Sequence, residues 1–160
     1  MKIVIALLVG LASASPVFAQ TNINLGGISA DPSAAVEISA DNLSVDQDTG
    51  TAVFSGNVVI GQGALRLSAG SVRVVYAETT GDIAQLMASG GVTFVTDTQA
   101  AEAASADYNL TTGQLTLSGN VLLSQGASAL SADKMTVDLT SGTAQMSGRV
   151  RTVFQQDGGN

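Results

Sequence analysis

Apolar and polar residues alternate along most of this chain with the two-residue period of half-buried β-strands. The alternation is clear from Val58 to Ile60, from Leu115 to Leu117, and from Met135 to Leu139. The intervening positions hold mainly Ser, Thr, Asn, Asp and Gln, which suit the solvated face of an antiparallel sheet. The pattern therefore predicts an all-β chain whose sheet has one apolar and one polar face.

Short glycine signals recur at a spacing of about thirty residues, which indicates an internal repeat. The first signal is Thr or Ser before Gly, at Thr49-Gly50, Thr80-Gly81, Thr112-Gly113 and Ser141-Gly142. The second signal is a Ser-Gly pair, at Ser55-Gly56, Ser89-Gly90, Ser118-Gly119 and Ser147-Gly148. We expect the first to turn a hairpin and the second to bulge a strand and curl the sheet. The sequence thus predicts a rolled antiparallel sheet, an open β-jellyroll, built from four hairpin-like repeats.

A third signal, Ser-Ala before Asp or Gly, precedes each turn. It is found at Ser39-Ala40-Asp41, Ser68-Ala69-Gly70, Ser105-Ala106-Asp107 and Ser131-Ala132-Asp133. This alignment predicts that Asp41, Asp107 and Asp133 lie at equivalent places. An Asp that recurs in a repeat is typical of a turn or a strand end and not of a unique active site.

The second unit departs from the pattern because it contains an alanine-rich segment from Thr98 to Ala104. We interpret residues 98–104 as a loop between strands. A short helix is the alternative, since Ala, Gln and Glu all have high helix propensity.

The first residues have the features of a secretory signal peptide, here assigned to residues 1–19. Met1-Lys2 supplies the charged start, and the apolar run from Ile3 to Ala12 is too short to span a bilayer. We expect cleavage before Gln20, and a cut after Ala14 is the alternative. Export predicts a periplasmic protein.

The remaining chain divides into one domain and two short segments. Residues 20–35 and 155–160 lack alternation, and we expect both to be flexible. The alternating region, residues 36–154, is long enough for a single domain with its own core.

Composition excludes several classes of function. The sequence contains neither His nor Cys, so its many Ser residues have no imidazole partner for nucleophilic catalysis. The net charge is −7, and the six Lys and Arg residues form no basic stripe that would bind nucleic acid. The repeat is also longer than the calcium-binding nonapeptide repeats. We therefore expect no enzyme activity, no cofactor, no metal site and no nucleic-acid partner.

Several stretches carry a resemblance to a known family: Val36 to Asp41, Thr51 to Ile60 with Gln62-Gly63, Leu67 to Gly70, Ala106 to Leu110, and Leu117 to Leu123 with Gln125. Each is short, but together, in register behind a secretion signal, they form a specific combination. Over residues 36–154 the chain resembles the OstA-like (LptA) family of lipopolysaccharide transport proteins. The resemblance implies an open β-jellyroll that shields the acyl chains of lipopolysaccharide (LPS) in an apolar groove and leaves the headgroup outside.

The resemblance also implies partners. They are an LptC-like inner-membrane protein, the N-terminal domain of an LptD-like outer-membrane protein, and further copies of the chain in head-to-tail self-association, which together bridge the two membranes. A non-catalytic structural or scaffold β-repeat protein of the cell envelope is the alternative. Such a protein would have a closed core and would take up no ligand.

An open sheet leaves its first and last strands with unpaired backbone groups, and these edges favour pairing between copies. The first predicted strand region spans 36–46, and the last spans 149–154. They carry opposite charges, from the residues Glu37, Asp41, Asp46, Arg149 and Arg151. Opposite charges favour contact between the tail of one copy and the head of the next.

The alternation also selects the side chains that we expect to face the lipid. They are Val36, Ile38, Val45, Phe54, Val58, Ile60, Val74, Phe94, Tyr108, Leu110, Leu117, Leu123, Val137 and Met146. Alternation fixes a face of the sheet but not whether that face is filled, so a sealed core is the alternative for each residue.

Overall fold

The structure, a computed structural model, describes residues 22–24, 31 and 33–154, and these form one antiparallel sheet of eleven strands. The strands are β1 (Asn22–Asn24), β2 (Val36–Ser39), β3 (Asn42–Asp46), β4 (Thr51–Gln62), β5 (Leu65–Tyr76), β6 (Ile83–Val95), β7 (Gln99–Asn109), β8 (Gln114–Gln125), β9 (Ser128–Asp138), β10 (Thr143–Ser147) and β11 (Arg151–Val153). The all-β, open-sheet prediction is confirmed. The predicted signal peptide and the tail 155–160 lie outside the described residues.

The strands lie in sequence order from β4 to β9, each paired with the next. At one end of the sheet, β2 and β3 both pair with β4. At the other end, β10 and β11 both pair with β9, and β1 pairs with β10. The segment 20–35, expected to be flexible, therefore contributes one short strand to the sheet.

The long strands β4, β6 and β8 each bend in the middle, at the Ser-Gly signal. Ser55 pairs with Ser71 and Val58 pairs with Ala69, so two residues of β4 lie opposite one residue of β5. The two residues of this bulge, Gly56 and Asn57, have φ of 79° and 47°. A left-handed pair of this kind sharply bends a strand, and Gly and Asn are the residues that adopt it at low cost. The predicted mid-strand bulge is confirmed, and the strands are correspondingly long.

The same shift occurs in β6 at Gly90-Gly91 and in β8 at Gly119-Asn120. At the far end of the sheet, Gly148 and Arg149 have φ of 77° and 44° and separate β10 from β11. Arg149 is a costly residue in this conformation. Its guanidinium is held by the carboxylate of Asp133, with Nε 3.0 Å and Nη2 2.6 Å from Oδ1, an arrangement that fixes the side chain.

Because these bends lie along one line across the sheet, the sheet has two walls that face each other. Wall 1 runs from the bends to the turns that contain Gly50, Gly81, Gly113 and Gly142. It consists of residues 42–46, 51–55, 71–76, 83–89, 105–109, 114–118, 134–138 and 143–147. Wall 2 runs from the bends to the opposite turns and contains 36–39, 58–62, 65–69, 92–95, 99–103, 121–125, 128–132 and 151–153. Their inner faces form a single apolar core.

Side-chain size follows the geometry of the bend. Next to it on wall 2, a Val on one strand pairs with an Ala on the neighbouring strand, as in Val58 with Ala69 and Val121 with Ala132. The walls converge here, so alternating large and small side chains fill the available space without overlap.

Three of the four turns of wall 1, all except the turn at 77–82, are stabilised by an Asp or Asn at the end of the incoming strand. Asp138 Oδ1 accepts from the N–H groups of Thr140 and Ser141 at 2.9 and 3.0 Å, and Asp46 does the same in the first turn. These donors hold the pKa of both carboxyls below the usual Asp value. Each is a local Asx turn, and one of its two donors is the N–H of the Thr or Ser in the predicted turn signal.

The prediction of a loop at residues 98–104 is wrong, and so is its helical alternative, because β7 begins at Gln99. Ala101 and Ala103 are buried while Glu102 is exposed, so the segment alternates as a strand does. Ala101 pairs with Phe94 on β6, where a small residue accommodates the ring. Tertiary packing thus overrides the helix propensity of alanine.

The predicted equivalence of the three aspartates is also wrong for Asp107. Asp41 and Asp133 each lie opposite a bend, since their N–H groups donate to Gly56 O and Gly148 O. Asp107 instead pairs with Met87 and Thr116 within wall 1, and both its oxygens accept from Gln85 Nε2. The position in β7 that faces a bend is occupied by Ala104.

The predicted edge strands are divided by the same bend. The region 36–46 forms β2 and β3, with Ala40 and Asp41 between them, and within 149–154 only Arg151–Val153 is a strand. Arg149 lies in the bend itself.

A glycine substitution tests the bend. A Cβ at Gly119 would lie 2.8 Å from the Cβ of Ala104, whereas a Cβ at Gly126 would meet nothing within 4 Å, and both residues have positive φ. We expect Gly126→Ala to lower the free energy of unfolding by about 1–2 kcal/mol, from backbone strain alone. Gly119→Ala adds a steric overlap and should cost clearly more. Urea denaturation of the two variants measures the difference, and equal losses would contradict this account of the bend.

Candidate functional site

The space between the walls is lined by continuous rows of apolar side chains, because residues paired across neighbouring strands point to the same face. One row of wall 1 is Val45, Ala52, Val74, Leu86, Tyr108, Leu115, Val137 and Ala144. The facing row of wall 2 is Ile38, Ile60, Leu67, Phe94, Ala101, Leu123 and Leu130. The interior is therefore an apolar strip that runs from β2 and β3 to β9 and β10.

The structure places the fourteen predicted lipid-facing residues in three environments. Nine are buried in the core: Val58, Ile60, Val74, Phe94, Tyr108, Leu117, Leu123, Val137 and Met146. Four are partly buried and pack against it: Val36, Ile38, Phe54 and Leu110. Val45 pairs with buried Ala52 but is itself 61% exposed. Contact of any of these residues with a lipid stays a prediction.

The interior is closely packed. The side chains of Val72, Phe94, Leu117 and Met135 have no exposed surface. Between the walls lies a cavity of about 10 Å³, lined by Val36, Ile60, Gln62, Leu65, Leu67, Leu86, Ala88, Ala106 and Tyr108. This volume is about that of one water-sized probe. An acyl chain can enter only if the walls move apart.

A hydrogen bond between Tyr108 and Gln62 joins the walls beside this cavity. The Tyr108 hydroxyl donates to Gln62 Oε1 at 3.0 Å, and Gln62 Nε2 donates to the backbone oxygen of Ala34 at 3.2 Å. Both side chains are buried, and burial raises the pKa of the Tyr108 hydroxyl above its usual value. The hydroxyl therefore stays protonated and able to donate across the neutral range.

Sequence reasoning selected Tyr108 but not Gln62. The alternation Val58, Ile60, Gln62 puts the amide on the inner face, and this polar residue in an apolar phase was the signal that could have identified it. Leu43 was also missed. It pairs with Phe54 in the inner row nearest the bend, yet 56% of it is exposed.

The apolar interior is uncovered at β3. Leu43 and Val45 lie on the inner face of this edge strand and are both mostly exposed. Large apolar side chains that remain open to solvent at the end of an apolar strip mark a surface suited to a further apolar contact.

The two ends of the sheet differ in charge. Glu37, Asp41 and Asp46 are exposed on or beside β2 and β3. Arg149 and Arg151 are exposed at the other end, but Arg149 forms an ion pair with Asp133 at 2.6 Å. Its guanidinium holds the pKa of the Asp133 carboxyl below the usual value. Arg151 is thus left as the main positive charge at β11.

Within the described residues, no three His, Cys, Asp or Glu side chains are grouped so as to hold a metal ion. Nor does any helix in this part of the chain have the length and hydrophobicity to cross a membrane.

Known proteins share this architecture. The sequence profile of the family described as LptA/(LptD N-terminal domain) LPS transport protein matches residues 37–143, more than half of the chain. Among solved structures, the fold is similar to the crystal structure of LptH, the LptA-homologous periplasmic component of the lipopolysaccharide transport device of Pseudomonas aeruginosa. The TM-score is 0.71 with 17% identity, over 79% of this chain and 99% of that one. At this identity the likeness shows the fold alone. No curated protein sequence matches the chain.

The raised pKa of Tyr108 predicts a pH dependence of stability. The folded state favours the protonated hydroxyl, so its stabilising effect is complete below about pH 10 and is lost as the pH rises through the folded pKa. Tyr108→Phe should lower the free energy of unfolding by about 1–3 kcal/mol at neutral pH, since Gln62 loses a buried donor. The gap to wild type should narrow above about pH 10. Urea denaturation at neutral pH and above about pH 10 measures this difference in the free energy of unfolding. Tyr76→Phe is the control and should keep the wild-type dependence on pH. A gap that is constant with pH would contradict the assignment.

Proposed function

This chain belongs to the LptA/LptD N-terminal domain family of LPS transport proteins, and on that premise we propose that it carries LPS through the periplasm with the acyl chains between its two walls. The family consists of non-enzymatic transport proteins, so the proposed function of this chain is to bind and transfer LPS. The observation that carries the proposal is the apolar strip that runs the length of the sheet and is uncovered at β3.

The chemistry of the interior fits acyl chains. Burial of each methylene contributes about 0.8 kcal/mol, so aliphatic walls bind a lipid with several chains without any charged contact. When the walls part, their lost mutual contacts are replaced by contacts with the acyl chains. The net affinity is therefore a small difference between two large terms, which suits a carrier that must also release its lipid.

Two features support a periplasmic location. The N-terminal residues match a secretory signal peptide with cleavage before Gln20, and the structurally similar LptH is a periplasmic component.

A second candidate function is that of a structural or scaffold β-repeat protein of the cell envelope. The observation that favours it is the packed interior, whose cavity of about 10 Å³ is too small for an acyl chain. The two functions differ in a single measurable property, which is whether the folded protein takes up LPS.

The ends of the sheet fit edge-to-edge assembly. Among the described strands, β2 and β3 pair only with β4, and β11 pairs only with β9, so each has an unpaired edge. A strand from another copy, from an LptC-like protein or from the N-terminal domain of an LptD-like protein can extend the sheet there by backbone hydrogen bonds. Such a contact would join the apolar strips of neighbouring molecules and bridge the inner and outer membranes.

Site-specific photo-crosslinking tests the lipid path. A crosslinking residue at Phe54 or Tyr108, on the inner face, should capture LPS. The adjacent positions Ser55 and Asn109 point to the other face and serve as matched controls that should not. Labelled LPS on denaturing gels measures the capture. Equal labelling of both faces would contradict the proposal, and no labelling at any position would favour the scaffold function.

A charge reversal tests the assembly. Tail-to-head pairing brings Arg151 towards the acidic edge that carries Glu37 and Asp46, so Arg151→Glu should weaken self-association, and added salt should weaken it in the wild type. Arg73→Glu, the same change in the middle of the sheet, is the control and should associate as wild type does. Light scattering across a wide concentration range gives the mass. A wild-type protein that stays monomeric and binds neither an LptC-like nor an LptD-like edge would overturn the assembly model.

A further inference from the structure

Gln62 and Tyr108 place a polar contact beside the small cavity between the walls. They are 2% and 6% exposed, and the other side chains around the adjacent cavity are apolar, with no charged group among them. Since an apolar pair of the same size would pack equally well, the hydrogen bond has no evident role in filling the core.

The position of this contact matters for access to the interior. Gln62 is the last residue of β4, and Tyr108 is the next to last residue of β7, with β5 and β6 between these strands in the sheet. The bond therefore connects wall 2 to wall 1 at their turn-bearing rims, farthest from the bend. A separation of the walls that admits an acyl chain breaks this contact.

Separation has different consequences for apolar and polar groups. The aliphatic side chains exchange contact with the opposite wall for contact with an acyl chain, at little cost. The Tyr108 hydroxyl and the amide oxygen of Gln62 lose each other as partners, and a hydrocarbon cannot replace either of them. A ligand with hydrogen-bonding atoms at the rim restores what is lost, whereas a purely apolar ligand does not.

We propose that Tyr108 and Gln62 form a polar gate that selects ligands whose acyl chains end in neutral hydrogen-bonding groups. This inference rests on the proposed LPS-carrier function. In the closed protein the two residues bind each other. In the loaded protein, the Tyr108 hydroxyl donates to an ester or amide carbonyl at the junction of acyl chain and headgroup, and Gln62 Oε1 accepts from a hydroxyl or amide N–H there. The absence of charge around the cavity favours these neutral groups over phosphate as the ligand of the gate.

The test compares uptake of LPS with uptake of 1,6-diphenyl-1,3,5-hexatriene, a fluorescent hydrocarbon dye that has no hydrogen-bonding group. Tyr108→Phe and Gln62→Met remove the bond and keep the approximate size of each side chain. Both should raise dye uptake by about two- to tenfold, the factor that one net hydrogen bond represents, without an equal rise in LPS uptake. The ratio of LPS uptake to dye uptake should therefore fall. In the double variant this ratio should fall no further, because the two residues share one bond.

Two controls separate the gate from general destabilisation, which can also increase dye binding. Tyr76→Phe removes the hydroxyl of a tyrosine that lies away from the cavity. Val121→Ala loosens the core next to the bend, far from the rim. Both should keep the wild-type ratio.

The outcomes are distinguishable from those of the proposed function. If dye uptake by folded Tyr108→Phe and Gln62→Met equals that of the wild type, the gate is refuted whether or not LPS binds. If dye uptake rises but the ratio stays at the wild-type value, the polar selection is refuted. If dye uptake rises and no protein takes up LPS, the gating contact stands, while the carrier function and the selection that rests on it fail.

Discussion

The structure depends on one backbone constraint, the two-residue bulge that interrupts β4, β6 and β8 at the same level and bends the sheet there. Because Gly56 and its counterparts adopt positive φ next to a second left-handed residue, the extra length is absorbed as a bend and pairing continues on both sides. A single sheet can then cover its own apolar face. Without the bend, the rows that contain Leu117 and Leu123 would lie in one plane, open to solvent, and no core would form.

The side chains around the bend follow from this constraint. The residue that faces each bend is small, or it is an Asp whose carboxylate stabilises it. Gly70 and Ala104 occupy the middle of the sheet, and Asp41 and Asp133 occupy its ends. At the ends a polar side chain can reach the bend from the solvent side. There Asp41 accepts from Asn57 Nδ2 at 2.8 Å, and Asp133 holds Arg149.

Under the proposed function, close packing and lipid transport make opposite demands on the same interior. Burial of both inner faces supplies most of the stability that a chain without disulfides can have. A carrier must give up those contacts and regain them with its cargo. In the proposed carrier, the buried hydrogen bond between Tyr108 and Gln62, at the rim beside the cavity, puts a polar cost of opening at the place where a lipid's polar junction would lie.

The sequence by itself determined the fold class and the inner face of the sheet, because alternation and glycine signals are local. Hairpin turns of wall 1 are also local, since side chains two or three residues away stabilise them, as at Asp138. Tertiary structure decided the rest. The strand state of residues 99–104 depends on Phe94 and Leu123 in neighbouring strands, which override the helix propensity of alanine. The exposure of Val45 depends on its place at the edge of the sheet. The bond between Gln62 and Tyr108 joins residues 46 positions apart, and only the bend brings them together.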